Sequence, residues 1–370
     1  MRRLLDWVPV ALGIALLSTL VGLQWHRIVR GQNDFVALYV GGRLMGTPDL
    51  YSRAANEAMI QSLLGGTMES VTYTRPPFYA ALLKPLASLP YLAAYGIFFA
   101  ACISGILWFV IRFSRECPAL PLFASFSIPV AAVLPQGQDT PLLLVLAGGS
   151  LLLSRRNKDF LAGLLLSLCA IKFHLFLLVP VLLLAKKRWR ILGGASLGCV
   201  VLFLVGILAA GIKSTGLYLK MLRDPWINFS PDMMPNLHGL AMSLGAGSWV
   251  ETGLVCAVVV TFGWICRRTD DYEFLFALSV LCGLLVSYHS GVGDDVLLLL
   301  VIAVITSSLR TATNDKPLRM ALALTMTPLP YFTGVSLSII LPLLFLLILA
   351  LAAFSVARGR KQKLIIPAAA

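Results

Sequence analysis

The chain has 370 residues, 58% of them hydrophobic and 13% charged, with a formal net charge of +13. A soluble domain carries about a quarter charged residues, whereas here the apolar residues run in blocks near the roughly 20 that cross a bilayer. The basic residues sit in short clusters between those blocks, where the positive-inside rule puts cytoplasmic loops, so a soluble fold and a nucleic-acid partner are both set aside in favour of a lipid surround.

In lipid the backbone must satisfy its own hydrogen bonds, so each apolar block is expected to be a helix. The first span covers 8–24 and leads outward. Arg2 and Arg3 ahead of it mimic a signal peptide, but no small-x-small cleavage site follows, and the span reads as uncleaved. A long outer segment, 25–90, comes next; within it 76–89 reads as a helix on the outer surface, with Lys84 snorkelling to water. Span 2 (91–112) returns to Arg112 and Arg115, span 3 (119–134) goes out to Gln136-Gly137-Gln138-Asp139, and span 4 (140–153) comes back to Arg155, Arg156 and Lys158.

The stretch 159–185 has basic clusters at both ends, with Lys186, Lys187, Arg188 and Arg190 following it. One crossing would strand one cluster outside. Two short helices, 159–171 and 174–185, turning at Lys172-Phe173-His174, keep both inside, and that reading is preferred. Span 7 (191–211) opens a second long outer loop, 212–248, and span 8 (249–265) returns to Arg267 and Arg268. Span 9 (272–288) leads to the Tyr288–Asp295 stretch and span 10 (296–309) to Arg310, Lys316 and Arg319. Spans 11 (318–331) and 12 (335–356) end at Arg358, Arg360, Lys361 and Lys363.

The expected fold is therefore an all-α polytopic membrane protein of about 12 transmembrane helices, one domain over 1–370, with two long extracytoplasmic loops and both termini cytoplasmic. Cys102, Cys169, Cys199, Cys256 and Cys282 lie inside apolar blocks, and Cys117 and Cys266 at cytoplasmic ends. No CxxC pair occurs, so neither disulfides nor zinc are expected.

The unusual polar residues gather on the outer face. Asp34 follows the first span closely and precedes an apolar-rich stretch. It is either a solvated or helix-capping carboxylate, or a general base whose pKa rises beside apolar surface. Lys172 and His174 interrupt an apolar stretch, where an ionisable residue is costly. They are either a snorkelling Lys with a packed His, or ligands for a phosphate. The Gln136–Asp139 loop is either a simple hairpin turn, with Gly137 permitting it, or a hydrogen-bonding surface for a sugar. His289 with Asp294 and Asp295 is either a metal-like cluster or a helix cap. No HExxH, GxSxG or Walker loop is present, so hydrolase and nucleotidase readings find no support.

These residues, in this order, resemble glycosyltransferase family 87, a group of polytopic GT-C enzymes that includes polyprenol-phosphate-mannose-dependent mannosyltransferases. Asp34-Phe35 with Tyr39, Leu50-Tyr51, Arg75-Pro76-Pro77-Phe78 and Leu86–Pro90 are similar to its first-loop pattern. Gln136-Gly137-Gln138, Leu161-Ala162-Gly163, Lys172-Phe173-His174, Val179-Pro180 and Arg188-Trp189-Arg190 resemble its middle elements, with Phe173 where Pro is usual and Lys187-Arg188 standing for an Arg pair. Met234-Pro235 with Gly239-Leu240 resembles the second loop. Asp295–Leu299 resembles a later element, with Asp294 where Tyr is usual.

The resemblance implies a GT-C fold, a polyprenyl-phosphate monosaccharide donor and a glycan or glycolipid acceptor, in a cell membrane, with a bacterial inner membrane the expectation. It implies Asp34 as the catalytic base, and Lys172, His174, Arg75 and His289, in that order, as donor-phosphate ligands. Tyr39, Tyr73, Gln136, Gln138 and Asp295 are the substrate-binding candidates. No metal and no cofactor are expected. The absence of a Rossmann fingerprint fits a donor that is not a sugar nucleotide. A lipid or sugar transporter or flippase is the main alternative; it predicts ionisable residues at mid-membrane in two related halves, which the sequence does not display. An acyltransferase would want a buried His-centred motif, for which His289 is the sole weak candidate.

Overall fold

The computed structural model describes residues 8–65, 72–224, 230–309 and 315–365. Arg2, Arg3 and Arg310, expected as cytoplasmic markers, lie outside the described residues, as do the side chains of Arg360, Lys361 and Lys363. The described residues form helices throughout, without a strand. In chain order these are α1 (Val8–Val29), α2 (Phe35–Arg43), α3 (Arg53–Leu64), α4 (Pro77–Ala87), α5 (Tyr91–Phe113), α6 (Leu120–Phe126) and α7 (Ile128–Gln136). Then come α8 (Thr140–Arg155), α9 (Asp159–Ser167), a 3-10 segment (Leu168–Phe176), α10 (Leu178–Ala185), α11 (Trp189–Ala210), α12 (Ile212–Met221) and α13 (Leu237–Ser243). The chain ends with α14 (Ser248–Arg268), α15 (Tyr272–Val286), α16 (Leu298–Ser308), α17 (Lys316–Thr325) and α18 (Leu337–Ile365), with 3-10 turns at Pro231–Met233, Val292–Leu297 and Leu329–Tyr331.

Among the described residues six segments are long and apolar enough to cross a membrane: Ala11–Val29, Tyr91–Phe113, Asp159–Phe176, Trp189–Ala210, Ser248–Arg268 and Leu337–Arg358. The pair α7 and α8, bent by 117°, counts as a seventh if it is one broken span. The other expected crossings fall on shorter pieces. Expected span 3 is split at Ser127, whose backbone is extended, and span 9 is the 15-residue α15. Spans 10 and 11 are the 11-residue α16 and the 10-residue α17. At 1.5 Å per residue, 10 residues reach only about 15 Å, so these pieces depend on their neighbours in a way the long helices do not.

The 159–185 stretch is interrupted by a kink at Lys172, inside the candidate span Asp159–Phe176. Lys172 takes φ −129° and ψ 62°, which no helix accommodates, so α9 and α10 are separate helices joined through a kinked 3-10 segment. The segment 25–90, expected as a long outer loop, is not open but carries three helices, α2 to α4, among its described residues. Helix α4 begins with Pro at its first position, where the missing N–H costs nothing. It does not lie free on the surface: Phe78, Tyr79, Ala80, Leu83 and Ala87 are buried, and it packs along α2. Leu82 and Lys84 take the exposed side. The close approach depends on Gly41 and Gly42. A Cβ at Gly41 would enter the Tyr73 ring, and one at Gly42 would come within 2.6 Å of Ala87 Cβ.

The helices group into two compact units. The first draws its described residues from Met1–Phe109, Val130–Lys172 and Gly193–Asn228. Its core is aromatic: the Phe35 ring lies 5.1 Å from Phe98, 5.7 Å from Tyr95 and 5.8 Å from Tyr91. Each such pair adds about 0.5–1.5 kcal/mol beyond burial, which pins the start of α2. Helix α1 is the exception, exposed along almost its whole length.

The second unit draws on Val110–Pro129, Phe173–Leu192 and Phe229–Ala370. Its centre is α15, where every residue from Phe274 to Leu285 is buried. A helix apolar on all sides needs neighbours on all sides, and α10, α14, α16 and α18 supply them.

Candidate functional site

The polar side chains of the first unit converge on two helix starts. Asp34 occupies the cap position of α2, yet its side chain makes no capping hydrogen bond. The capping is done one residue earlier, where Asn33 Oδ1 accepts from the Val36 amide at 3.3 Å and from the Tyr91 hydroxyl at 2.9 Å. Asp34 is thereby left for other partners, and Gln138 Nε2 donates to its Oδ2. The Asp34 carboxyl is only partly open to solvent. Burial pushes its pKa above the usual carboxylate range, offset in part by the Gln138 hydrogen bond and by the charges of Lys172 and Arg75. Such a carboxylate is a stronger base than an exposed one.

Gln138 is held in place by the sharp turn between α7 and α8. Gly137 closes α7 with φ +65°, its N–H donating to Leu134 O at 3.0 Å while Gln138 N–H reaches Val133 O at 3.1 Å. This is the pattern that ends helices on a left-handed glycine. A Cβ at Gly137 would also stand 2.6 Å from Phe35 Cβ, so glycine is required there twice over. The Cys102 thiol lies 3.6 Å from Gln138 O.

Asp139 follows, at the cap position of α8, and it too forgoes capping. Arg75 grips it side-on, Nε to Oδ2 at 2.7 Å and Nη2 to Oδ1 at 3.1 Å. Lys172 Nζ reaches the same Oδ1 at 3.1 Å and donates to Thr140 Oγ1 at 2.9 Å. The side chain of Asp139 is fully buried, that of Lys172 5% exposed and that of Arg75 15%. Three charges in so little water are tolerable because they pair. Removing one partner from a buried pair costs about 3–5 kcal/mol.

Of the residues singled out from sequence, the structure thus brings Asp34, Arg75, Gln138 and Lys172 into one network. Asp139 and Thr140 complete it and were not among the site candidates. Gln136 makes a different contact, Nε2 donating to Gln24 Oε1 at 3.4 Å. Tyr39 is buried, its hydroxyl donating to Leu89 O at 2.8 Å and accepting from Arg43 Nη2 at 2.9 Å. Tyr73 is also buried and donates to Pro76 O at 2.9 Å. Both hydroxyls tie chain segments together.

The other candidates belong to the second unit. His174 and His289 face each other edge to face with ring centroids 6.1 Å apart. Asp294 Oδ2 accepts from the Gly291 amide at 3.1 Å, so it serves the start of the 3-10 turn. Asp295 is fully buried beside the Tyr331 hydroxyl. A further pair went unnoticed in the sequence: His238 Nδ1 sits 3.0 Å from Glu251 Oε2, with the Tyr288 ring 4.1 Å from the His238 ring. Among the described residues no three His, Cys, Asp or Glu side chains meet where they could hold a metal ion.

Compared with known proteins, the chain matches the model of glycosyltransferase family 87 over residues 73–288, more than half of its length. Tyr73, Arg75, Gln136, Gln138, Lys172 and His174 fall inside that match, while Asp34, Tyr39, His289 and Asp295 fall outside it. No curated protein and no solved structure matches the chain. With its long apolar helices and a family match across most of the first unit's network, this chain belongs to glycosyltransferase family 87.

Proposed function

We propose that this membrane glycosyltransferase moves a hexose, mannose in the first instance, from a polyprenyl-phosphate sugar to a glycan or glycolipid acceptor on the extracytoplasmic face, in a GT-C fold. Asp34 takes the proton of the acceptor hydroxyl as the acceptor oxygen bonds to the anomeric carbon. The bond from that carbon to the phosphate oxygen breaks, its electron pair leaves with the polyprenyl phosphate, and the anomeric centre inverts. Negative charge grows on the leaving oxygen, where fixed cations act most strongly. Arg75 and Lys172 are the candidate cations of the first unit, and His174 and His289 are those carried by the second. A bacterial inner membrane with both termini cytoplasmic is the matching location.

One observation carries this reading. Asp34 stands at a helix start, released from capping by Asn33, hydrogen-bonded by Gln138 and within electrostatic reach of two cations, Lys172 buried and Arg75 partly so. A surface carboxylate or a simple cap would need none of this.

The test is to incubate the purified protein with a panel of polyprenyl-phosphate hexoses and candidate acceptors, reading products by mass spectrometry. Transfer from one lipid-linked sugar, lost in Asp34→Ala protein that still accumulates in the membrane, supports the reading. Near-native turnover in that variant removes Asp34 as the base. Use of a sugar nucleotide instead would replace the donor. Movement of the lipid-linked sugar across vesicles with no new glycosidic bond would make the protein a flippase.

A further inference from the structure

We infer that Asp139 is a positioning residue of the transfer reaction: it holds Arg75 and Lys172 on one buried carboxylate and so fixes the charge that Asp34 faces. The inference rests on the reading of Asp34 as the base. Three consecutive residues at the break between α7 and α8 divide the work. Gln138 contacts Asp34, Asp139 takes both cations, and Thr140 accepts from Lys172. The break is itself locked, by the left-handed Gly137 and its contact with Phe35, the residue next to Asp34.

The charge arithmetic gives Asp139 its role. The charged groups facing Asp34 are Arg75 from the segment ahead of α4, Lys172 from the kink after α9, and Asp139 from the break. The nearest polar groups from α5 and from Asp34's own segment, Tyr91 and Asn33, are uncharged and bonded to each other. Two cations alone would favour the ionised form of Asp34 and weaken it as a proton acceptor. One buried anion among them offsets part of that field and keeps the carboxylate more basic. The same anion fixes the cations at defined positions, since both bond to it directly.

The test follows Asp34 without turnover. Protein labelled with 13C-aspartate is titrated by infrared carboxyl absorption, and the signal of Asp34 is isolated by subtracting the Asp34→Asn variant. Asp139→Asn should lower the Asp34 midpoint, and Asp139→Glu should restore it toward the wild-type value. Lys172→Gln and Arg75→Gln, each of which leaves Asp139 one cation, should raise the midpoint. They keep the inference testable if Asp139→Asn does not fold. A midpoint unmoved or raised by Asp139→Asn, or unmoved by both cation variants, overturns the inference. A parallel assay uses polyprenyl-phosphate mannose as donor. If wild-type protein transfers from no lipid-linked sugar while the titration shifts as stated, the functional reading fails and the electrostatic role of Asp139 stands. If transfer occurs and its pH profile ignores Asp139→Asn, the reverse holds.

Discussion

Two breaks in the chain look alike in sequence and behave oppositely in structure. Each follows an apolar helix and carries acid ahead of the next, one aspartate in Gln136–Asp139 before α8 and two in Tyr288–Asp295 before α16. In both, an aspartate is fully buried. Burial alone would raise Asp139, but Arg75 and then Lys172 outweigh it and bring the carboxyl below the usual range. Asp295 has no Lys or Arg partner among the described residues. Burial, and then the neighbouring Asp294, push it well above that range, with the Tyr331 hydroxyl a lesser influence in the other direction. The lesson is that a buried acid takes its charge state from what the rest of the fold brings to it, and the local sequence is silent on the matter.

The largest effect expected concerns the group the first break serves. Asp34→Asn should cut transfer by about 10³-fold, within the range for a positioned base, measured as kcat/KM on the donor found active. Next comes stability. Asp139→Ala strands two buried cations and should cost about 3–5 kcal/mol. Asp295→Asn replaces an acid whose neutral form is favoured by burial with a near-isostere, so its cost should stay under about 1 kcal/mol. Thermal unfolding in one detergent compares the two, and equal losses would erase the contrast.

The pH dependence of unfolding separates them by sign. The folded pKa of Asp139 is depressed, so its contribution is present above about pH 4 and fades as pH falls toward the folded value. The folded pKa of Asp295 is raised, so its contribution is present below about pH 4 and is lost as pH climbs. Asp295→Asn should therefore gain on the wild type as pH rises, and a parallel pair of curves would count against a neutral Asp295. The smallest effect is kinetic. Lys172→Ala should raise the donor KM more than the acceptor KM, and equal changes in both would remove its phosphate role.

Much of this was legible in the chain. Apolar run length located α1, α5, α11, α14 and α18, because a helix in lipid needs no partner to be written into sequence. The kink at Lys172 falls where the basic clusters suggested a turn, though Asp159–Phe176 is long and apolar enough to be one span. Lys172 stood out as an ionisable residue in an apolar stretch, Asp34 and Gln138 as polar residues of the expected outer face, and Arg75 through the family resemblance. Short helices were harder: α6, α7, α16 and α17 are shaped by packing that composition does not record, and the twelve expected crossings include several of them. The roles of Asn33 and Asp139 were hidden for another reason. Which of two adjacent residues caps a helix depends on a tyrosine 58 positions away, and the Arg75–Asp139 pair spans 64. Helical spacing announces partners three or four residues apart, and these have no such period. His238 and Glu251 lie 13 apart on different helices and were missed likewise.

The span of these contacts bears on how the protein is made. Asp34 meets Gln138 across 104 residues, and Asp139 gains its second cation only when Lys172 arrives. A ribosome-bound chain that has inserted α1 through α8 therefore carries a buried carboxylate with half its counter-charge, and completes the set only on delivering the kink after α9. Assembly of the network waits on residue 172, close to the middle of the 370-residue chain, and a chain shorter than that lacks one of the two cations that pair Asp139.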